Sequence, residues 1–307
     1  MELAQVPPIF RVVRVHIVIG GFLAFLLGAL LAFVNGGAFN PWQILLFYTI
    51  VLFGDLSTHY SNDYFDVNVD KNITKRKFFS GSRILVNHPA LLPLARQISI
   101  TFFALSNVLA LLAVIFWAAP IELLAVALGA NFLGWAYSAP PLRLISRGMG
   151  ELAIAVATGF AIPAVGYLSV KGQFDPAFLF LALPFILYGY ILSLSLETPD
   201  VEVDRKGGKN NIAVRRGGYT VLVVMLVAVV TAMLMFVFYA WQTVISIIDL
   251  RWVVAFSAVP LATGVWGIIN MVCKKKIEPA CTANIFALFI FNLLMVSYLI
   301  IVAFGLI

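Results

Sequence analysis

The chain has 307 residues, 62% of them hydrophobic and 11% charged, with a mean hydropathy of +1.01. Soluble domains carry roughly 25% charged residues, so this chain lacks the polar groups to cover a water-facing surface, which disfavours a soluble enzyme, a disordered regulator or a free nucleic-acid-binding module. The net charge of +6 reports orientation in a bilayer before it reports the sign of a ligand, and two cysteines, Cys273 and Cys281, are too few for a disulfide framework or a Cys-based metal site.

A spanning helix needs about 20 mostly apolar residues. Runs of this kind predict nine spans, at 14–34, 42–62, 92–118, 121–138, 150–170, 176–196, 219–240, 251–272 and 283–305. They are long and apolar enough to be helices, so the expected class is all-α: one polytopic domain over 1–307. The first run follows Arg11 and Arg14 without a small-residue cleavage site, so no removable signal peptide is expected. With the N-terminus inside, the basic residues after spans two, four, six and eight join Arg11 and Arg14 on the cytoplasmic side. Only Lys171 and Arg251 fall opposite, leaving eighteen of the 20 basic residues on one face.

Span two ends in Asp63, Asp66 and Asp70; span six ends in Glu197, Asp200, Glu202 and Asp204. Together these are seven of the 14 acidic residues. The steps 63, 66, 70 and 197, 200, 204 are both i, i+3, i+7, so each set faces one direction on a helix. Stacked carboxylates repel, the more so when partly desolvated. Solvated helix ends would account for one such cluster. Two clusters, each followed by its own basic run, are better explained by a divalent metal together with a multivalent anion. Hard oxygen ligands point to Mg²⁺, with Mn²⁺ as the alternative, and to two ions against a shared diphosphate. Asp55 and His59 lie at i−8 and i−4 from Asp63 and read best as a satisfied polar pair inside the bundle, while His16 and His88 read as structural.

The first cluster, Asn62-Asp63-Tyr64-Phe65-Asp66-Val67-Asn68-Val69-Asp70, resembles the NDxxDxxxD motif of the UbiA superfamily of intramembrane prenyltransferases. The second, Asp200-Val201-Glu202-Val203-Asp204, resembles that family's DxxxD. Three further stretches are similar to its naphthoate-prenylating, menaquinone branch: Ser80 to Val86, Tyr137 to Arg143 with Arg147 to Glu151, and Asp204 to Arg215. Glu197 departs from the Asn found in many relatives, and Arg143 from the Lys found in some.

The resemblance implies a bundle of nine transmembrane helices around a cavity open at the cytoplasmic side of the cell membrane. It implies transfer of a prenyl group from an isoprenyl diphosphate to a lipophilic aromatic acceptor, with no nucleic acid or protein partner. Asn62, Asp63, Asp66, Asp200 and Asp204 would hold the metal. Lys77, Arg83, Arg143, Lys206 and Lys209 would meet the diphosphate as charge-assisted donors. Asp70, Tyr137 and Glu151 would serve the chemistry: Asp70 as a water-mediated ligand or proton acceptor, Tyr137 by its face to a developing allylic cation. A glycerol-phosphate lipid acceptor, as in the archaeal-lipid branch, is the alternative within the family. A cation-coupled transporter is the rival outside it, although transporters place their charges nearer the midplane.

Overall fold

The computed structural model describes residues 7–72 and 81–306, and among these every regular element is helical. Nine long helices carry the architecture: α1 Val15–Val34, α2 Pro41–Phe65, α3 Leu92–Phe116, α4 Ile121–Ser138, α5 Gly150–Lys171, α6 Pro176–Glu197, α7 Ile212–Trp241, α8 Leu250–Val272 and α9 Glu278–Ala303. Helix starts follow from caps and prolines written in the sequence. Asn40 accepts from the backbone N–H of Trp42 and Gln43 ahead of Pro41, and Asp175 accepts from Phe178 N–H ahead of Pro176.

Eight of these helices are long and apolar enough to cross a membrane. The exception is α2, whose 25 residues would reach about 37 Å at 1.5 Å per residue but whose second half carries Asp55, His59, Asn62 and Asp63. Two boundaries shift from expectation. Helix α7 begins at Ile212, since Asn211 caps it, and bends at Gly217, whose φ of 81° and ψ of 165° are not helical. Helix α9 begins at Glu278, with a proline in its first turn.

In the bundle α2 packs against α3 and α4, α1 against α5 and α9, α6 against α5, α7 and α9, and α8 against α7 and α9. Without water to drive burial, helices in lipid associate through close packing at small residues. At the α1–α5 crossing, a Cβ on Gly28 would lie 2.0 Å from the Pro163 carbonyl oxygen, and one on Gly166 would lie 2.0 Å from that of Phe25. Helix α5 contains a π turn at Ala157–Ala161, which shifts its face beside the cavity described below. At the far end, Asp175 accepts from Tyr167 Oη and Asn35 Nδ2, each at 2.6 Å, and Lys171 donates to the Asn35 carbonyl, tying α1, α5 and α6 together.

Gly166→Ala is expected to destabilise the fold by about 1–3 kcal/mol, because neither backbone can give way. Gly20→Ala, where a Cβ meets nothing within 4 Å, is expected to leave stability within about 0.5 kcal/mol. Thermal unfolding of both variants in detergent measures the contrast.

Candidate active site

Both acidic motifs line one cavity of about 280 Å³. Its mouth is formed by Asn62, Asp63, Asp66 and Asp70 from the end of α2 and the short helix Val67–Asp70, and by Glu197, Asp200 and Asp204 from the end of α6 and the short helix Val201–Lys206. From Asp66 the lining follows one face of α2 down to Ile50, about 24 Å for sixteen residues at 1.5 Å each. The lower walls are mostly apolar, with Ala127, Ala130 and Gly134 of α4 and Ala157, Ala161 and Ile162 of α5, interrupted by Ser106, Asn131 and Thr158.

Lys209 joins the two motifs. Its Nζ lies 3.3 Å from Asp66 Oδ2 and 3.1 Å from Asp204 Oδ1. Burial works against its charge, but Asp66 and Asp204 override that and hold the ammonium above the usual lysine range. The motifs also touch through backbone, since a Cβ on Gly207 would come within 2.5 Å of Val69 Cγ1. Asp204 is held a second time by Asn211, which donates to Asp204 Oδ2 at 2.9 Å while its Oδ1 caps Val214 N–H at 2.8 Å. The N-terminal turn of α7 is thereby directed at the second motif, which favours negative charge there.

Asp63 is 2% exposed and forms a 2.7 Å ion pair with Arg14; Ser82 Oγ donates to its other oxygen. Asp70 lies under the same loop, where the Gly81 backbone comes so close that a Cβ would be 2.6 Å from Asp70 Oδ2. Burial, and then the charge of Asp63, raise the Asp70 carboxyl to about 7. Arg143 reaches to 3.8 Å from Asp66 Oδ1 from a left-handed backbone (φ 42°). Tyr137 Oη donates to Glu197 Oε1 at 3.0 Å inside the cavity.

Several other expected site residues stand elsewhere. Glu151 is buried off the cavity wall, where its Oε1 accepts from the Ile212 N–H at 2.5 Å, so it anchors the start of α7. Arg83 heads the short helix Ile84–Asn87 in a left-handed conformation (φ 56°), away from the lining, and Lys206 is exposed and also off it. Lys77 lies outside the described residues. Sequence reasoning missed Arg14, Ser82 and Asn211 as partners of the motif acids. Arg14 looked like an orientation charge, and no spacing rule links it to a carboxylate 49 positions away.

The donors at the mouth suit a hard divalent cation. Asn62 Oδ1, Asp66 Oδ1 and Glu197 Oε2 are buried oxygens without a hydrogen-bond partner. Among the described residues no three His, Cys, Asp or Glu side chains gather into a cage of their own. That combination fits Mg²⁺, which is held by one or two carboxylates together with substrate phosphates.

Residues 22–294 match the UbiA prenyltransferase family. The 2-carboxy-1,4-naphthoquinone phytyltransferase of Synechocystis is 30% identical over 265 residues, which is 81% of this chain and 78% of that protein. The 1,4-dihydroxy-2-naphthoate octaprenyltransferase of Bacillus subtilis is 22% identical over 215 residues, 68% of this chain and 66% of that protein. Among solved structures, a UbiA homolog from Archaeoglobus fulgidus bound to GPP and Mg²⁺ superposes with a TM-score of 0.70 at 19% identity, covering 97% of this chain and 99% of that one. The apo UbiA homolog from Aeropyrum pernix gives 0.69 at 15% identity, covering 93% and 98%. The family match runs through both acidic motifs and the helices that carry them, and this chain belongs to the UbiA family of membrane prenyltransferases.

Proposed function

We propose that the protein transfers an isoprenyl group from an isoprenyl diphosphate to a hydroxylated naphthoate-type acceptor, a quinone precursor, with Mg²⁺ at a cytoplasmic-facing site of the cell membrane. All nine long helices cross the bilayer in this reading, α2 with its polar face turned to the cavity. The observation that carries it is the cavity itself: two acidic motifs bridged by Lys209 at one end, and an apolar channel descending from them. The naphthoate acceptor is supported by what the Synechocystis and Bacillus relatives are named for.

Breaking the allylic C–O bond puts negative charge on the diphosphate and positive charge on the prenyl carbon, so groups that stabilise the departing anion lower the barrier. Asn62, Asp63 and Asp66 would hold one ion, and Asp200 and Asp204 a second. The bound Mg²⁺ would act as a Lewis acid on the phosphate oxygens. Lys209 and Arg143 stand beside Asp66, where they can donate charge-assisted hydrogen bonds to the leaving group. Tyr137, oriented by its bond to Glu197, lines the cavity with an aromatic ring, a face that can stabilise the developing cation. The α4 and α5 walls exclude water from that carbon.

The direct test offers the purified protein Mg²⁺, labelled geranylgeranyl diphosphate, and either 1,4-dihydroxy-2-naphthoate or geranylgeranylglyceryl phosphate, with the lipid products resolved. Metal-dependent product from the naphthoate alone is expected; product from the glyceryl phosphate alone would move the enzyme to membrane-lipid synthesis. In the same assay Asp66→Asn and Asp204→Asn are expected to lower diphosphate release by about 100-fold or more, with the elution profile of the folded protein unchanged. The basic candidates separate as well. Lys209→Ala should raise the donor KM by about tenfold or more, as loss of a charge-assisted bond implies, whereas Lys206→Ala should stay within about twofold. Equal effects from the two lysines would contradict the assignment.

A further inference from the structure

One to two turns below Asp63 the cavity holds a second set of ionisable groups that diphosphate chemistry does not use. Asp55 and His59 both line it, on the same face of α2 as the metal motif. Eight residues at 1.5 Å each place Asp55 about 12 Å from Asp63, beyond the reach of the phosphates and beside the channel that receives hydrocarbon. A carboxylate at that depth is costly unless something polar meets it, and a saturated or polyene tail cannot.

The local geometry shows what is on offer there. His59 Nδ1 accepts from the backbone N–H of Arg14 at 3.4 Å, which leaves the ring proton on Nε2. That nitrogen is buried without a hydrogen bond and lies 3.5 Å from Asp55 Oδ1. An acceptor oxygen and a donor nitrogen therefore stand side by side, loosely paired. Across from them, Asn131 donates to Ser106 Oγ and Asn107 Oδ1, both at 2.9 Å, which turns its Oδ1 toward Gly54, where a Cβ would come within 2.3 Å. The rest of the wall at this depth is small: Ala130, Gly134, Ala157 and Ala161 are apolar, and Thr58 and Thr158 spend their hydroxyl protons on the Gly54 and Ile154 carbonyls of their own helices.

We infer that the Asp55–His59 pair docks a phenolic hydroxyl of the acceptor, accepting its hydrogen bond at Asp55 and donating from His59, and so helps decide which ring the enzyme takes. The cavity then sorts its two ligands by chemistry: the isoprenyl tail against the α4 and α5 walls, the hydroxylated ring against the polar face of α2. This assignment rests on the naphthoate reading of the function.

The test compares kcat/KM for 1,4-dihydroxy-2-naphthoate and for 1-hydroxy-2-naphthoate, which lacks one hydroxyl, in the wild type and in Asp55→Asn, with Mg²⁺ and labelled geranylgeranyl diphosphate. The wild type is expected to prefer the diol by about tenfold or more, the worth of a hydrogen bond to a charged group. Asp55→Asn is expected to cut that preference to within threefold while the donor KM stays within twofold. A preference retained in Asp55→Asn would mean that it arises from ring reactivity and would overturn the proposal, as would a wild type that does not discriminate. If Asp55→Asn does not elute as folded protein, His59→Leu carries the same readout with the same expected loss. Product from neither naphthoate in the wild type would remove the naphthoate reading itself, and this assignment with it; product with an unaltered preference in the variant removes this assignment alone.

Discussion

The structure depends on one electrostatic problem, which is how to hold two clusters of carboxylates, separated by about 130 positions in the chain, against each other at the edge of a membrane. Two like charges 4 Å apart repel by about 4 kcal/mol at the effective dielectric of a partly exposed site. Lys209 answers this by standing between Asp66 and Asp204, and Arg14 neutralises Asp63 within the first cluster. Neither cation belongs to a motif. Lys209 is delivered by the turn that follows the second acidic cluster, where its N–H bonds the Asp204 carbonyl at 3.0 Å, whereas Arg14 comes from a distant part of the chain, at the N-cap of α1. Removing one partner of such a pair would strand a buried charge, so these acids bear on the fold as well as on the proposed chemistry.

The surrounding backbone is arranged to make that approach possible. Gly207 lets the turn after the second motif lie on Val69 of the first, and Gly81 lets its own backbone come close to Asp70. Arg83 and Arg143 adopt left-handed conformations that a non-glycine residue enters at a cost of about 1–2 kcal/mol. The Arg143 turn brings its guanidinium to 3.8 Å from Asp66 Oδ1, and strain of this kind is found where proteins bind ligands. Helix α7 completes the arrangement from outside. Its first turn receives Glu151 at the Ile212 N–H and Asn211 at the Val214 N–H, and Asn211 in turn grips Asp204.

The legible part of this protein was its periodic part. Apolar runs marked the long helices to within a few residues in most cases, and the acids expected on one helix face each, Asp63, Asp66 and Asp70 and Glu197, Asp200 and Asp204, line one cavity but from separate elements, because both motifs run past the ends of α2 and α6 into short helices. What stayed hidden was pairing across the bundle. Nothing in the spacing distinguishes Lys209, which binds two acids, from Lys206, which is exposed, or separates Glu151 as a helix anchor from a group in the cavity. The start of α7 was missed because Arg215, Arg216 and two glycines look like a loop, while the Asn211 cap and the Glu151 contact hold the segment helical.

The cavity is graded along its length, and the grading bears on both halves of a prenyl transfer. Six carboxylates and two cations crowd the mouth, a single carboxylate and imidazole sit one to two turns down, and the floor is Ile50, Val51, Ile162 and Val165. An anion is solvated at the first level and excluded at the last, whereas a hydrocarbon chain has the reverse preference. A ligand that joins the two in one molecule can enter in only one direction, head at the mouth and tail at the floor. In the proposed reading the scissile bond lies at the level of Lys209 and Tyr137, one group suited to a departing anion and the other to an emerging cation. Orientation, charge stabilisation and exclusion of water thus come from the same gradient, and the acidic motifs can lie at helix ends because the apolar walls beneath them do the aligning.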